Sequence, residues 1–134
     1  MINKWYPFPI VSSIESGTNI LKIPWTKSIK SQNGQYELRI DDHDGFLKVV
    51  NIINNRTIWQ MGDKLYPYIM NCILERNGNL VLRSSRRPSF IGVNITLSTN
   101  TSEFPGSALH LLDDGNLVLV YNEAIKWSSK NGKS

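Results

Sequence analysis

Three stretches of the sequence resemble one another, and this self-similarity constrains the fold more than any other feature. Segment 1 spans residues 38–49, segment 2 residues 72–83 and segment 3 residues 109–120. Segments 2 and 3 share the pentapeptide Gly-Asn-Leu-Val-Leu, at Gly78–Leu82 and Gly115–Leu119. Because one such unit cannot bury a face alone, we expect the units to pack around a shared core.

Each segment predicts a β-hairpin. Apolar residues alternate with polar ones before the turn, as at Leu38 and Ile40 in segment 1, which is the period of a half-buried strand. A turn containing Asp or Asn and Gly follows, and a second apolar run leaves it. An aromatic residue comes after each hairpin, and we expect the three to meet inside the core. They are Trp59, Phe90 and Trp127.

The rest of the sequence agrees with a small all-β domain. No stretch has a sustained helical period, and β-branched residues, Gly, Asn and Ser are spread throughout. The 134 residues suit one domain, and no apolar run reaches the roughly 18 residues of a membrane-spanning helix. The net charge of +4 is too small to indicate nucleic acid as a partner. The single cysteine, Cys72, excludes an internal disulfide and reads as a small core residue.

These segments resemble the bulb-type (monocot) mannose-binding lectin domain over roughly residues 16–129. The family carries the motif Gln-x-Asp-x-Asn-x-Val-x-Tyr three times, each copy followed by a Trp-containing strand. The resemblance implies a β-prism II fold, with three four-stranded sheets related by pseudo-threefold symmetry. It also implies a non-enzymatic lectin that needs no cofactor or metal.

The motif has a physical rationale for binding a sugar. Period-two spacing puts its side chains on one face of a strand pair. Gln and Asn each offer a donor and an acceptor to hydroxyl groups, and Asp adds a charged acceptor. The resemblance places Val against the C–H face of the sugar and Tyr at the edge of the pocket. One such shallow site binds weakly, so we expect binding to depend on multivalency.

Segment 3 matches the motif best. Asp114, Asn116 and Val118 stand at the Asp, Asn and Val positions. Leu112 replaces Gln and Val120 replaces Tyr. Tyr121 comes one position late, so we expect it to point to the opposite face.

Segment 2 offers an altered site. Asn79 and Val81 match the motif, while Glu75 replaces Gln, Asn77 replaces Asp and Arg83 replaces Tyr. All three replacements are polar, and Arg83 suits an acidic or sulfated sugar.

Segment 1, aligned as Asp41, His43, Gly45, Leu47 and Val49, keeps only an apolar match. We therefore predict that its sugar site is lost.

The remaining residues that could act in catalysis or metal binding are better explained as parts of turns and strands. His43 lies in a turn and His110 alternates with buried-type leucines, so neither indicates catalysis. The acidic turn at Asp41, Asp42 and Asp44 lacks EF-hand spacing and predicts a solvated turn.

A basic cluster precedes Phe90 and comprises Arg83, Arg86 and Arg87. We assign it to a loop that is either simply solvated or meets phosphate, membrane headgroups or an anionic glycan.

The predicted organisation is an extended segment at 1–17 and a lectin domain at 18–134, with repeat units at about 31–60, 69–91 and 107–129. Residues 1–17 are too apolar for a free tail, so we expect them to pack on the prism or on a partner in a homodimer. Pro7 and Pro9 interrupt any signal-peptide helix, which leaves the cytoplasm or unconventional export as locations.

Glycans of the mannose type are the expected partner, without nucleic acid and without membrane insertion. A sugar-deficient prism, used for protein interaction or as a lectin-like toxin, is the alternative.

Overall fold

The computed structural model describes residues 10–41 and 43–133, in which the chain forms twelve β-strands and one short 3₁₀ helix, Ile20–Lys22. In chain order the strands are β1 (Ser13–Glu15), β2 (Ser28–Lys30), β3 (Tyr36–Ile40), β4 (Phe46–Asn51), β5 (Arg56–Gly62), β6 (Tyr68–Leu74), β7 (Leu80–Ser85), β8 (Asn94–Ser98), β9 (Ala108–Leu111), β10 (Leu117–Tyr121), β11 (Ala124–Ser128) and β12 (Gly132–Lys133). None of the described residues belongs to a helix with the length and hydropathy needed to cross a bilayer.

The described strands form three antiparallel sheets, and one segment supplies a hairpin to each. Segment 1 forms β3–β4 in the sheet β2-β3-β4-β5, and segment 2 forms β6–β7 in the sheet β6-β7-β8. Segment 3 forms β9–β10 in the sheet β1-β9-β10-β11-β12. The prediction of an all-β fold with three sheets is confirmed.

The expected four strands per sheet are only approximate, because the described sheets have five, four and three. The fifth strand of the largest sheet is β1, which pairs with β9 and comes from the segment expected to be extended. The three-stranded sheet is extended by an isolated bridge between Asn19 and Ile73. A full strand does not form there because the 3₁₀ helix begins at Ile20.

The core lies between the three sheets and follows directly from the alternation in the sequence. Leucines on each side of the three turns point inward and are almost completely buried. Inward-facing pairs from the second strands of the hairpins are Leu47 and Val49, Leu80 and Leu82, and Leu117 and Leu119. The thiol of Cys72 is fully buried among them, and this desolvation raises its pKa to about 12.

Two of the three expected aromatic residues reach the core. The Trp59 and Trp127 rings meet edge to face with centroids 5.6 Å apart. Trp59 lies opposite Val49 in β4, and Trp127 lies opposite Leu119 in β10.

The third aromatic prediction is wrong, because Phe90 lies outside the core and is 41% exposed. The residue paired with Leu82 in β7 is Leu97, which holds the position that the tryptophans hold in the other sheets. The cause is the length of the connection between β7 and β8, which takes eight residues, 86–93. Phe90 lies in this loop, so the spacing from segment 2 does not carry it into β8.

Residues 10–17 pack on the prism within the described part of the chain. Ile14 in β1 is 5% exposed and belongs to the core. The backbone carbonyl oxygen of Ser12 accepts from the Leu111 N–H at 2.9 Å. Trp5, Tyr6, Pro7, Phe8 and Pro9 lie outside the described residues.

Candidate functional site

The three hairpin turns are built by the same side-chain hydrogen bond. The Asp or Asn residue before each turn glycine accepts a hydrogen bond from the backbone N–H two residues later, which forms an Asx turn. The donors and acceptors are Phe46 N and Asp44 Oδ1, Asn79 N and Asn77 Oδ1, and Asn116 N and Asp114 Oδ1, all at 2.9 Å. The Asp position of the motif therefore has a local structural role in all three segments.

These bonds show that the alignment of segment 1 after Asp41 was wrong by one residue. Asp41 and Phe46 are joined by a backbone hydrogen bond and have four residues between them in the sequence, whereas the equivalent pairs Glu75–Asn79 and Leu112–Asn116 have three. The outward-facing residues of segment 1 after the turn are thus Asp44, Phe46, Lys48 and Val50. Leu47 and Val49, which the sequence alignment placed in the site, point into the core instead and are fully buried.

The outer face of segment 1 is occupied by an ion-pair cluster. Lys48 Nζ lies 2.6 Å from Asp44 Oδ2 and 3.2 Å from Asp41 Oδ2. The hydrogen bond to Asp44 raises the pKa of Lys48, and the hydrogen bond from the His43 N–H lowers the pKa of Asp41. Lys48 thus occupies one oxygen of each carboxylate on this face.

Segment 2 also closes its outer face with an ion pair. Arg83 Nη2 lies 3.0 Å from Glu75 Oε2, and Arg83 Nη1 donates to Asn71 Oδ1 at 3.3 Å. Val81 is between Asn79 and Arg83 on the same face of β7 and is 2% exposed. The structure thus brings Glu75 and Arg83 together at this site, where they neutralise each other. Arg83 belongs to β7 rather than to the loop in which the sequence analysis placed it.

Asn79 fixes the chain that follows β8. Its Oδ1 accepts from the Thr101 N–H at 3.1 Å and from Thr99 Oγ1 at 3.5 Å. Thr101 is fully buried and donates through Oγ1 to the Gly78 carbonyl at 2.6 Å. At Gly78 a side chain is excluded, because a Cβ would lie 2.1 Å from the Phe104 carbonyl oxygen. The Asn-Gly pair of segment 2 is therefore locked to the loop around residues 99–104.

Segment 3 repeats this lock with different partners. Asn116 Oδ1 accepts from Ser129 Oγ at 3.2 Å and from the Lys130 N–H at 3.3 Å. Ser129 Oγ also accepts from the Leu117 N–H at 3.0 Å. Among the described residues, the Asn116 amide nitrogen has no hydrogen bond to protein, so this donor faces solvent. One end of the Asn116 amide is structural and the other is available to a ligand.

Asp114 is the most exposed charged group at the motif positions. Its side chain is 58% exposed, and Oδ2 lies 3.0 Å from Lys130 Nζ, which is itself half exposed. The hydrogen bond from the Asn116 N–H is the main cause of a lowered pKa of Asp114, and Lys130 adds to it. The carboxylate is consequently ionised at neutral pH, and its ion pair with Lys130 is exposed to solvent, where such pairs contribute little to stability.

The remaining motif positions of segment 3 are apolar. Leu112, at the Gln position, is 38% exposed, while Val118 is 1% exposed. Val120 takes the Tyr position in β10. The Tyr121 ring packs on Phe104 with centroids 5.6 Å apart, and Phe104 contacts the core. Tyr121 therefore supplies no hydroxyl to this face.

A pocket adjoins the segment 3 turn. It has a volume of about 240 Å³ and is lined by Ser12, Gln32, His110, Leu111, Leu112 and Asp113. Gln32 Nε2 donates to Ser12 Oγ at 2.6 Å, and Asp113 holds the neighbouring turn through the Asn33 N–H at 2.9 Å. Gln32 thus brings an amide to the surface beside Leu112, where the motif has its Gln.

Several residues at these sites were missed by the sequence analysis. Ser129 and Lys130 bind Asn116 and Asp114 from beyond β11, and nothing in the sequence links them to the motif. Asn71 was detectable, because it alternates with Ile73 and Glu75 along β6 and so shares their face.

Solved lectin structures share this fold. A lectin from Marasmius oreades has a TM-score of 0.67 and 21% sequence identity over 92% of this chain and 93% of its own. A monomeric monocot mannose-binding lectin from Gastrodia elata has a TM-score of 0.66 and 23% identity over 90% of this chain and 98% of its own. No protein-family profile and no curated protein matches the sequence. The chain therefore has the β-prism fold of the bulb-type lectins, as the resemblance implied.

Proposed function

We propose that this protein is a non-enzymatic carbohydrate-binding module and that segment 3 is its main site. The observation that carries this proposal is the pairing of Asp114 and Asn116 on one face, beside the Gln32-lined pocket. Asp114 offers an ionised, exposed carboxylate, and Asn116 offers an amide donor that no described residue uses. Such a pair matches two adjacent hydroxyl groups of a sugar, one as donor and one as acceptor.

The proposed ligands are glycans of the mannose type, bound weakly at each site. Weak binding follows from the loss of two motif contacts, because Leu112 and Val120 make no hydrogen bonds through their side chains. Segment 2 would act as a second, altered site, with Asn77, Asn79 and Val81 contributing when a ligand separates Glu75 from Arg83. Tight binding would then depend on several sites acting together, in one chain or in a homodimer.

A prism without sugar binding, used for protein interaction or as a lectin-like toxin, is the second candidate function. Its support is the occupation of two motif faces by internal ion pairs, Lys48 with Asp41 and Asp44, and Arg83 with Glu75. Under this alternative the motif asparagines persist because they hold the loops after β8 and β11.

The test must separate ligand contacts from the structural role of the same side chains. Alanine at Asp114 or Asn116 removes both, so isosteric variants are required. Asp114→Asn keeps the acceptor for the Asn116 N–H and removes the charge. Asn116→Asp keeps the acceptor for Ser129 and Lys130 and removes the amide donor. Asn54→Asp is the matched control, since Asn54 Oδ1 accepts from the Arg56 N–H in a turn outside the segments.

The four proteins are applied to a glycan array containing mannose-rich, sulfated and sialylated glycans. We expect wild type and Asn54→Asp to bind mannose-rich glycans, and Asp114→Asn and Asn116→Asp to lose at least about tenfold in affinity. Hits confined to anionic glycans would move the main site to segment 2. No binding by folded wild-type protein would overturn the proposal in favour of the second candidate.

A further inference from the structure

One end of the sheet β6-β7-β8 carries an exposed surface that combines apolar and cationic side chains. We name residues 64–68 and 86–93 together the basic apolar tip. Tyr68, Ser85 and Asn94 lie in one row across the end of this sheet, so the two loops leave it side by side. The Arg86 guanidinium lies 5.3 Å from the centre of the Tyr66 ring and links the loops directly.

The apolar part of the tip consists of five exposed side chains. Ile91 is 74% exposed and Leu65 is 61% exposed. Three further apolar residues are at least 40% exposed, namely Tyr68, Phe90 and Val93. Exposed apolar side chains gathered at one end of a sheet are typical of an interaction surface.

The loop 86–93 is closed by its own backbone. The Arg86 N–H donates to the Val93 carbonyl at 3.2 Å, and the Phe90 N–H donates to the Arg87 carbonyl at 3.1 Å. The apolar side chains are therefore held at the apex of a turn instead of folding back on the sheet. The sequence expectation that Phe90 would fill the core fails here because this turn keeps it outside.

The charge of the tip is positive. Lys64, Arg86 and Arg87 are exposed. The one carboxylate among residues 63–68 and 85–94, Asp63, accepts a hydrogen bond from the Leu65 N–H at 2.9 Å. The adjoining stretch of segment 1 contains Asp41, Asp42 and Asp44 in its sequence, and Lys48 binds Asp41 and Asp44.

We propose that the basic apolar tip binds the surface of an anionic lipid bilayer. Such a surface attracts Lys and Arg to its headgroups and accepts apolar side chains at the boundary of the acyl chains. A soluble polyanion satisfies only half of this description, because it gives Leu65, Ile91 and Val93 nothing to bury against. The contact is peripheral, with loop side chains entering the headgroup layer and no element crossing the bilayer.

The test is cosedimentation of the full chain with vesicles of phosphatidylcholine, with and without phosphatidylserine and free of any glycolipid. We expect binding only when phosphatidylserine is present, and weaker binding at high salt. Arg86→Gln with Arg87→Gln should lower partitioning by roughly 25-fold, since each cation contributes about fivefold. Ile91→Ser with Val93→Ser should lower it by at least about tenfold.

Ile53→Ser with Arg56→Gln is the matched control at the opposite end of β5, where Ile53 is 77% exposed. It should bind as wild type does, and all variants should keep the wild-type unfolding midpoint because the changed residues are exposed. Absence of vesicle binding, or binding that either tip variant leaves unchanged, overturns the proposal. If the protein bound heparin as tightly as vesicles, and Ile91→Ser with Val93→Ser left both affinities unchanged, the tip would be a surface for polyanions instead. Since no vesicle carries sugar, the result is independent of the glycan array.

Discussion

Segments 2 and 3 begin from the same pentapeptide and end as two different surfaces. In both, the turn glycine, the Asx hydrogen bond and the inward leucines are the same. In both, the motif asparagine holds the chain that follows the next strand, β8 in segment 2 and β11 in segment 3. Segment 2 then covers its outer face with the Glu75–Arg83 ion pair, while segment 3 leaves Asp114 exposed beside a pocket.

The connection after each hairpin differs as well. In segment 3, β10 is followed by two residues, 122–123, and then by β11, whose Trp127 enters the core. Segment 2 is followed by the eight-residue loop 86–93, which places Phe90 outside and Leu97 opposite Leu82. The comparison shows that the same pentapeptide forms the same hairpin in both segments, and that residues outside it determine which groups each outer face exposes.

Substitutions of the residues that follow each hairpin should give the largest difference in stability between the two units. Trp127→Ala removes a large buried ring and its contact with Trp59, so we expect a loss of about 3–5 kcal/mol in the free energy of unfolding. Leu97→Ala should cost roughly 1–2 kcal/mol because Leu97 is only partly buried, and Phe90→Ala should stay within about 0.5 kcal/mol. Urea denaturation measures all three. Equal losses for Trp127→Ala and Phe90→Ala would contradict the assigned difference between the units.

The two motif asparagines should behave alike, which tests the shared part of the comparison. Asn79→Ala and Asn116→Ala each remove an acceptor from two donors in the following loop, and we expect each to lower stability by about 1–2 kcal/mol. Asn79→Asp and Asn116→Asp keep the acceptor and serve as controls with smaller effects. A loss of stability at only one of the two positions would show that the two asparagines do not have equivalent structural roles.

Restoring the motif in segment 2 should abolish the difference between the two faces. The variant Glu75→Gln, Asn77→Asp, Arg83→Tyr regains the Gln, Asp and Tyr of the lectin motif and removes the ion pair. In the Asn116→Asp background we expect it to raise affinity for mannose-rich glycans by at least about tenfold, because each recovered hydrogen bond adds about 1 kcal/mol. Titration calorimetry with a mannose oligomer measures this. No gain would mean that the backbone of segment 2 cannot form the pocket.

Acid should affect the turn of segment 3 but not the turn of segment 2, since Asn77 stands at the position of Asp114 and does not titrate. The pKa of Asp114 is lowered by the Asn116 N–H and by Lys130. The ionised carboxylate therefore contributes to the stability of the folded protein at pH values above the pKa that Asp114 has in the unfolded chain. That contribution is lost as the pH falls through the still lower pKa of the folded state. We expect glycan binding to stay constant from pH 7 to about 5 and to fall below about pH 4. Fluorescence titration of wild type and Asp114→Asn checks this, and the variant should show no such fall while it remains folded.

Much of the fold was predictable because the core-facing residues alternate clearly. The strands of segments 2 and 3, their turns and the shared core follow from Leu80, Leu82, Leu117 and Leu119 with Gly between polar residues. The alignment of segment 1 was not predictable in the same way. Both Val49 and Val50 are apolar, so the sequence permits two alignments of segment 1 with the motif. Only the additional residue between Asp41 and Phe46 decides between them.

The candidate site was predictable only in part, because its partners lie far away in the sequence. Asp114 and Asn116 were found through the spacing of the motif. Ser129 and Lys130 follow the end of β11, and Gln32 lies between β2 and β3 of another sheet. Phe90 was misplaced because counting residues from segment 2 assumes a short connection, and Leu97 was overlooked because it is not aromatic.

The pairing of β1 with β9 has a consequence for how the chain reaches its native state. Ser13 lies opposite His110 and Glu15 opposite Ala108, so the first described strand has its partner near the other end of the sequence. During synthesis β1 cannot pair, and Ile14 stays unburied, until β9 has left the ribosome. Contacts of such high sequence separation slow folding, because the entropy of closing the intervening loop is lost before the strands gain from pairing. The completion of this prism is therefore a late event, timed by the arrival of segment 3.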